Sequence, residues 1–151
     1  LKVIVKYPKK EEERQIIRMN NTGEVPTVNP VIKPEDIVRA RSVVRDVYMD
    51  EKIERYIVDI VYATRTPDDY GLGKIKDLIS FGASPRASIS LSMASKAYAF
   101  IKRRGYVIPE DVRAVCDEVL RHRIGLTYEA EAENVTTEQI IAEVLNAVQV
   151  P

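Results

Sequence analysis

Pro26, Pro30 and Pro34, with Asn29 among them, make Val25 to Pro34 a stretch that resists helix and favours an extended linker. Each proline removes a backbone donor and biases the residue before it away from helical angles. The chain must therefore organise itself on either side of this stretch, and we place the boundary there: residues 1–33 form one part and residues 34–151 the other. With 151 residues the chain suits one domain, or one domain plus part of a second.

Before the linker, Leu1 to Tyr7 is apolar and β-branched and is closed by Pro8, the pattern of a short strand. Lys9 to Asn20 follows with Glu12, Gln15, Ile16 and Met19 at helical spacing, and Asn21-Thr22-Gly23 supplies a stop. A lone strand has nothing to pair with, so strand, proline and charged helix read as the tail of an α/β unit. Starting at Leu1 rather than Met, the chain reads as a piece of a longer protein.

Beyond the linker the helical period dominates. Pro34-Glu35-Asp36 and Pro109-Glu110-Asp111 are both helix starts, with proline in the first turn and acids on the positive end of the dipole. The first helix presents Ile37, Ala40, Val44, Val47 and Tyr48 as one stripe. Asp50 caps the next, in which Ile53, Tyr56, Ile57, Ile60, Val61 and Thr64 share a face until Pro67 breaks it. Ser84 is expected to cap a central helix with Pro85 in its first position and Ala87, Leu91, Ala94, Tyr98 and Ile101 buried. After Pro109, Val112, Val115, Cys116, Val119 and Leu120 face inward and Gly125 stops the helix. Leu126 to Tyr128 is expected to be briefly extended and Glu129 to Asn134 irregular. Thr136 and Gln139 form a capping box for a last helix carrying Ile140, Ile141, Val144, Leu145 and Val148. The fold class is mainly α, a helical bundle preceded by a short strand and helix.

Lys and Arg total 23 and Asp and Glu total 23, so no global field draws in nucleic acid or an anionic membrane surface. Any anion site must be local. No run approaches the roughly 20 apolar residues of a membrane span. The one cysteine, Cys116, lies among apolar helical positions and reads as a buried, inert thiol suited to a reducing, cytoplasmic compartment. The single histidine, His122, leaves little material for a metal cage or a hydrolytic triad, and no metal site is expected.

One position opposes its surroundings. Arg86 falls in the first turn of its helix, where a cation works against the macrodipole at about 0.3 to 1 kcal/mol. A bound oxyanion would offset this twice, through the free N–H groups of the helix end and through the guanidinium fork. Alternatively Arg86 points into water or pairs with Asp68 or Asp77. Arg65, Lys102-Arg103-Arg104 and Arg121-His122-Arg123 end helices, where a basic residue complements the dipole as a solvated cap or serves a subunit contact.

Ala63-Thr64-Arg65, then a loop, then Gly82-Ala83-Ser84-Pro85-Arg86-Ala87, then Arg121-His122-Arg123-Ile124 resemble the lid of the MoxR group of AAA+ ATPases. The opening strand, Tyr7-Pro8 and the Glu11-Glu12 helix are similar to the end of the α/β core in the same proteins. The resemblance implies that residues 1–33 end that core and residues 34–151 are the lid. It implies that Arg86 is the sensor 2 arginine, reaching the γ-phosphate as a catalytic residue, with Ser84 and Pro85 beside it in nucleotide binding. It further implies a protein that binds ATP with Mg2+, assembles into a ring, hexameric in the family's manner, remodels clients like a chaperone, and works with von Willebrand factor A domain partners. The phosphate loop Gly-x-x-x-x-Gly-Lys-Ser/Thr is absent from this sequence, as is a strand ending in paired acids, so this chain alone is expected not to hydrolyse ATP.

A competing reading is a nucleic-acid-binding module, because two helices meet across Arg104 to Ile108 much as in a helix-turn-helix. Its second helix opens with Glu110 and Asp111, the wrong sign for a groove, so no nucleic-acid partner is expected. A protein-interaction adaptor is the third reading.

Overall fold

Helix starts follow the prolines and small polar residues that the sequence provides. In a computed structural model describing residues 1–21, 23 and 27–151, the elements are α1 (Lys10–Asn21), α2 (Pro34–Asp46), α3 (Glu51–Ala63), a 3-10 turn (Pro67–Tyr70), α4 (Gly73–Lys76), β1 (Ile79–Phe81), α5 (Pro85–Ile101), α6 (Pro109–Leu120), β2 (Gly125–Leu126), α7 (Tyr128–Ala132) and α8 (Thr137–Ala147). The architecture is a mainly helical bundle in which β1 and β2 make one small antiparallel pair, Ile79 opposite Leu126. Thr22 of the expected stop signal, Glu24, and Val25 and Pro26 at the start of the expected linker lie outside the described residues.

The caps set the frame. The Asp50 carboxylate accepts the Lys52 N–H at 2.9 Å and starts α3. Thr136 and Gln139 form the expected reciprocal box, at 3.3 and 2.7 Å, and start α8. Asp111 does more than cap α6. Its carboxylate accepts the Ile108 N–H at 3.0 Å and takes both guanidinium nitrogens of Arg104, one at 2.7 Å, while only 1% of the side chain reaches solvent. Arg104 is thus an internal fastener rather than the solvated cap expected from its place at a helix end. Burial works against the Asp111 charge, but the Arg104 and Ile108 hydrogen bonds and the Arg104 charge outweigh it and hold the carboxyl below the usual aspartate value.

The core lies between α3, α5, α6 and α8. On α3 the expected face is buried, with Ile60, Val61 and Thr64 fully enclosed. On α5 the buried row is Ala87, Leu91, Ser95 and Ala99; of the expected stripe Ala87 and Leu91 are buried, Ala94 is part-buried against the core, Tyr98 is only half-buried, and Ile101 is 74% exposed. The reason is packing along a strict four-residue ridge, in which three small side chains let α6 approach closely. Arg113 of α6 ties the layers together by donating to the Tyr56 hydroxyl of α3 at 3.3 Å and to the Leu145 carbonyl of α8 at 2.6 Å. Cys116 is fully buried, and burial pushes its thiol up to about 12, which keeps it protonated.

Three expectations are corrected. Leu1–Tyr7 joins no ladder among the described residues. It is held instead at the end of α6, where the Lys2 N–H donates to the Glu118 carbonyl at 2.7 Å and Arg121 donates to the Lys2 carbonyl at 2.8 Å; a strand needs neighbours, and the described residues place none beside it. Gly125 does not stop α6, which has already ended at Leu120. It opens β2, with the Phe81 ring lying where its Cβ would be. The acidic stretch after Thr127 is the short helix α7, because the Thr127 hydroxyl accepts the Ala130 N–H at 3.3 Å and Glu129 and Glu131 sit on its positive end.

Residues of α1 are all exposed, and an apolar groove of about 1000 Å³ runs between α2 and α5, bordered by Ile37, Val44, Met93 and Ile101. The α2 stripe is correspondingly only part-covered, with Val47 its one buried member. Among the described residues no helix is long and apolar enough to cross a membrane.

The depressed Asp111 carboxyl has a measurable consequence. Its stabilisation is complete above the unfolded-state value near about 3.9 and is lost as the pH falls through the lower folded-state value. In thermal unfolding followed by circular dichroism, the deficit of Asp111→Asn relative to wild type should be largest above about pH 4 and narrow below it. A deficit that does not change with pH would remove the charged pair from the account.

Candidate functional site

Where α3 ends, one buried hydroxyl joins two distant pieces of chain. Thr64 donates to the Val61 carbonyl at 2.7 Å and accepts the Ala83 N–H at 2.9 Å. Both residues are fully buried, so neither polar group has water as a substitute. Beside this contact Gly82 lies directly on the Thr64 backbone. A Cβ at Gly82 would stand 2.3 Å from the Thr64 oxygen and 2.6 Å from its carbonyl carbon. Close approach, rather than an unusual dihedral, is therefore what requires glycine here.

From that clamp the chain enters α5. Ser84 is extended, with φ −80° and ψ 169°, and Pro85 takes the first helical position as expected. The expected Ser84 cap does not form. The Ala87 N–H bonds the Ser84 carbonyl at 2.8 Å, and the exposed Ser84 hydroxyl makes no capping bond. Ala87 is buried beneath the turn, while Ser84, Pro85 and Arg86 face outward.

Among the described residues the Arg86 side chain forms no hydrogen bond or ion pair. The pairing with Asp68 considered from sequence does not occur, because Asp68 holds Lys76 at 2.5 Å. Nor does Asp77 pair with Arg86; its backbone carbonyl accepts the Thr127 hydroxyl at 2.9 Å. A cation is thus presented, unpaired, on the helix end where N–H groups also point outward.

The other arginines separate from it. Arg65 lays its guanidinium over the Tyr62 ring, 4.2 Å from the centroid, while its stem packs beside Gly82. Arg121 and Arg123 are not solvated caps. Arg121 is 10% exposed, binds Glu138 of α8 at 2.9 Å and reaches Glu118 at 3.8 Å. Arg123 donates to the Val119 carbonyl at 2.9 Å and to the Ser90 hydroxyl of α5 at 3.1 Å. His122 is exposed, and partial burial with the neighbouring charges of Arg123, Lys2 and Arg121 holds its imidazole below its usual value. Sequence reasoning missed Glu138 and Ser90 because each lies on another element.

An open groove of about 830 Å³ runs beside Arg65, Lys76, Phe81 and Gly82. Asp68, Asp69 and Asp77 share its walls, a mixture of signs unsuited to a polyanion. The exposed end of α5 is the better-matched surface for phosphate oxygens.

Comparison with known proteins bears on what this surface belongs to. Residues 74–144 match the AAA lid domain family. The chain is 39% identical over 151 residues to the chaperone MoxR1 of Mycobacterium tuberculosis, covering 99% of this chain and 40% of that protein. It is 39% identical over 87 residues to the protein MoxR of Paracoccus denitrificans, covering 54% of this chain and 26% of that one. A crystal structure described as a "putative ATPase" from Cytophaga hutchinsonii superposes with a TM-score of 0.91 at 39% identity, over 97% of this chain and 45% of that one. The chain therefore spans less than half the length of these relatives.

Two substitutions test the clamp by urea unfolding. Gly82→Ala forces a methyl group into backbone and should destabilise by about 1 to 3 kcal/mol. Thr64→Val keeps the shape but leaves the Ala83 N–H buried and unmet, for a loss of about 1 to 3 kcal/mol. Wild-type stability in both would show that the two segments are not held together in this way.

Proposed function

The chain is a lid-bearing stretch of the MoxR type of AAA+ protein, and from that premise we propose that it supplies the sensor 2 arginine, Arg86, to a nucleotide held by the α/β core of the same protein. The observation that carries this reading is the unpaired guanidinium on the first turn of α5, aimed outward from a clamp that fixes its backbone. Ser84 and Pro85 shape that turn and leave the phosphate side open.

The residues present fit a polyphosphate. The dipole end of α5 and the Arg86 fork are both donors, and the Asp68 carboxylate is engaged by Lys76. ATP with Mg2+ would supply the γ-phosphoryl group. Arg86 would bind its oxygens and stabilise the charge that develops on them during transfer. Loss of that phosphate would release Arg86, and with it the lid, which gives hydrolysis a mechanical readout.

On this reading residues 1–33 end the core and residues 34–151 are the lid. The full-length protein hydrolyses ATP in the cytoplasm as a ring, in hexameric form, and remodels clients, von Willebrand factor A domain proteins among its partners. Exposed apolar surface on α1 and in the groove between α2 and α5 suits burial against the core and neighbouring subunits.

In the full-length protein Arg86→Ala should slow ATP turnover at least about tenfold, equivalent to about 1.4 kcal/mol of transition-state stabilisation. Turnover at the wild-type rate would remove the sensor assignment.

A further inference from the structure

Arg86 can act on a phosphate only if α5 points it in one direction, and the first turns of a helix are where a backbone frays most easily. The fork of Arg123 lies across this part of α5. It stands in the turn after α6, with its own N–H bonded to the Leu120 carbonyl at 2.8 Å. From there Nε donates to the Val119 carbonyl at 2.9 Å and Nη2 donates to the Ser90 hydroxyl at 3.1 Å.

Ser90 lies four residues after Arg86, so the two side chains share one face of α5, one turn apart. Arg123 therefore binds the end of α6 to the face from which Arg86 projects. Among the described residues it forms no ion pair, in contrast to Arg121 beside it, which is matched by Glu118 and Glu138. Arg123 is also the residue type this geometry needs. A planar fork can reach a helix-end carbonyl and a hydroxyl on the next helix at once, and a lysine ammonium cannot hold both in a fixed plane.

We infer that Arg123 is a positioning residue for Arg86, acting through Ser90 to fix the direction in which α5 presents the Arg86 guanidinium. The inference rests on the sensor reading of Arg86. It adds that the turn following α6 controls this sensor, so that any movement of α6 relative to α5 is passed to the nucleotide side as a change in Arg86 orientation. Misplacement of a catalytic group by about 1 Å can cost as much as 100-fold in rate, so a single bridging contact is enough to matter.

The test is steady-state ATP turnover by the full-length ATPase, with thermal unfolding of each variant measured alongside. Arg123→Ala and Ser90→Ala should each lower kcat about threefold to tenfold with little change in KM for ATP, and Arg123→Lys should restore only part of the loss. In Arg86→Ala background the Arg123→Ala change should have no further effect, because there is nothing left to position. Ser90→Ala removes only one hydroxyl and decides the matter if Arg123→Ala fails to fold. Wild-type kcat in Ser90→Ala would overturn the inference, as would an Arg123→Ala loss that multiplies with that of Arg86→Ala. Failure of the sensor reading itself is distinct: Arg86→Ala alone would then turn over at the wild-type rate.

Discussion

The Thr64 hydroxyl is the contact on which the arrangement turns. It takes the Ala83 N–H and gives its own proton to the Val61 carbonyl, both within a dry interior. A buried hydroxyl so placed satisfies a loop donor that would otherwise be stranded, and it does so at the end of α3, nineteen positions before that loop. Gly82 makes the approach possible and Ala83 and Ala87 fill the space beneath it. The direction in which α5 leaves the loop, and hence the side on which Arg86 emerges, follows from this junction.

A second set of contacts carries that direction through the bundle. The row Ala87, Leu91, Ser95 and Ala99 seats α5 against its neighbours. Arg104 closes the far end of the α5 to α6 connection on Asp111, and Arg123 closes the near end on Ser90. The two helices are thus fastened at both ends by guanidinium groups, one to a buried carboxylate and one to neutral acceptors. Fastening of this kind couples a shift of one helix to the other.

Features written locally were legible in the sequence. Asp50, Thr136 with Gln139, Pro34 and Pro109 start their helices as read, because a cap needs only the residues of the following turn. The apolar face of α3 was legible for the same reason. Leu1–Tyr7 was not, since strand formation depends on partners that its own residues do not encode. The partners of Arg104, Arg121 and Arg123 also escaped, because a basic residue at a helix end reads identically whether it meets water or another helix. The Ser84 cap did not form, although Pro85 starts the helix as read. Arg86 was picked out because its charge opposed its position, and the absence of an ion pair among the described residues leaves that opposition unresolved within the chain.

The most direct measurement is a structure of the full-length protein with Mg2+ and a non-hydrolysable ATP analogue. The Arg86 guanidinium should lie at about 2.7 to 3 Å from an oxygen of the γ-phosphate, with the Thr64 to Ala83 hydrogen bond retained. Arg86 turned to solvent while the γ-phosphate is ordered, with that clamp intact, would contradict the assignment.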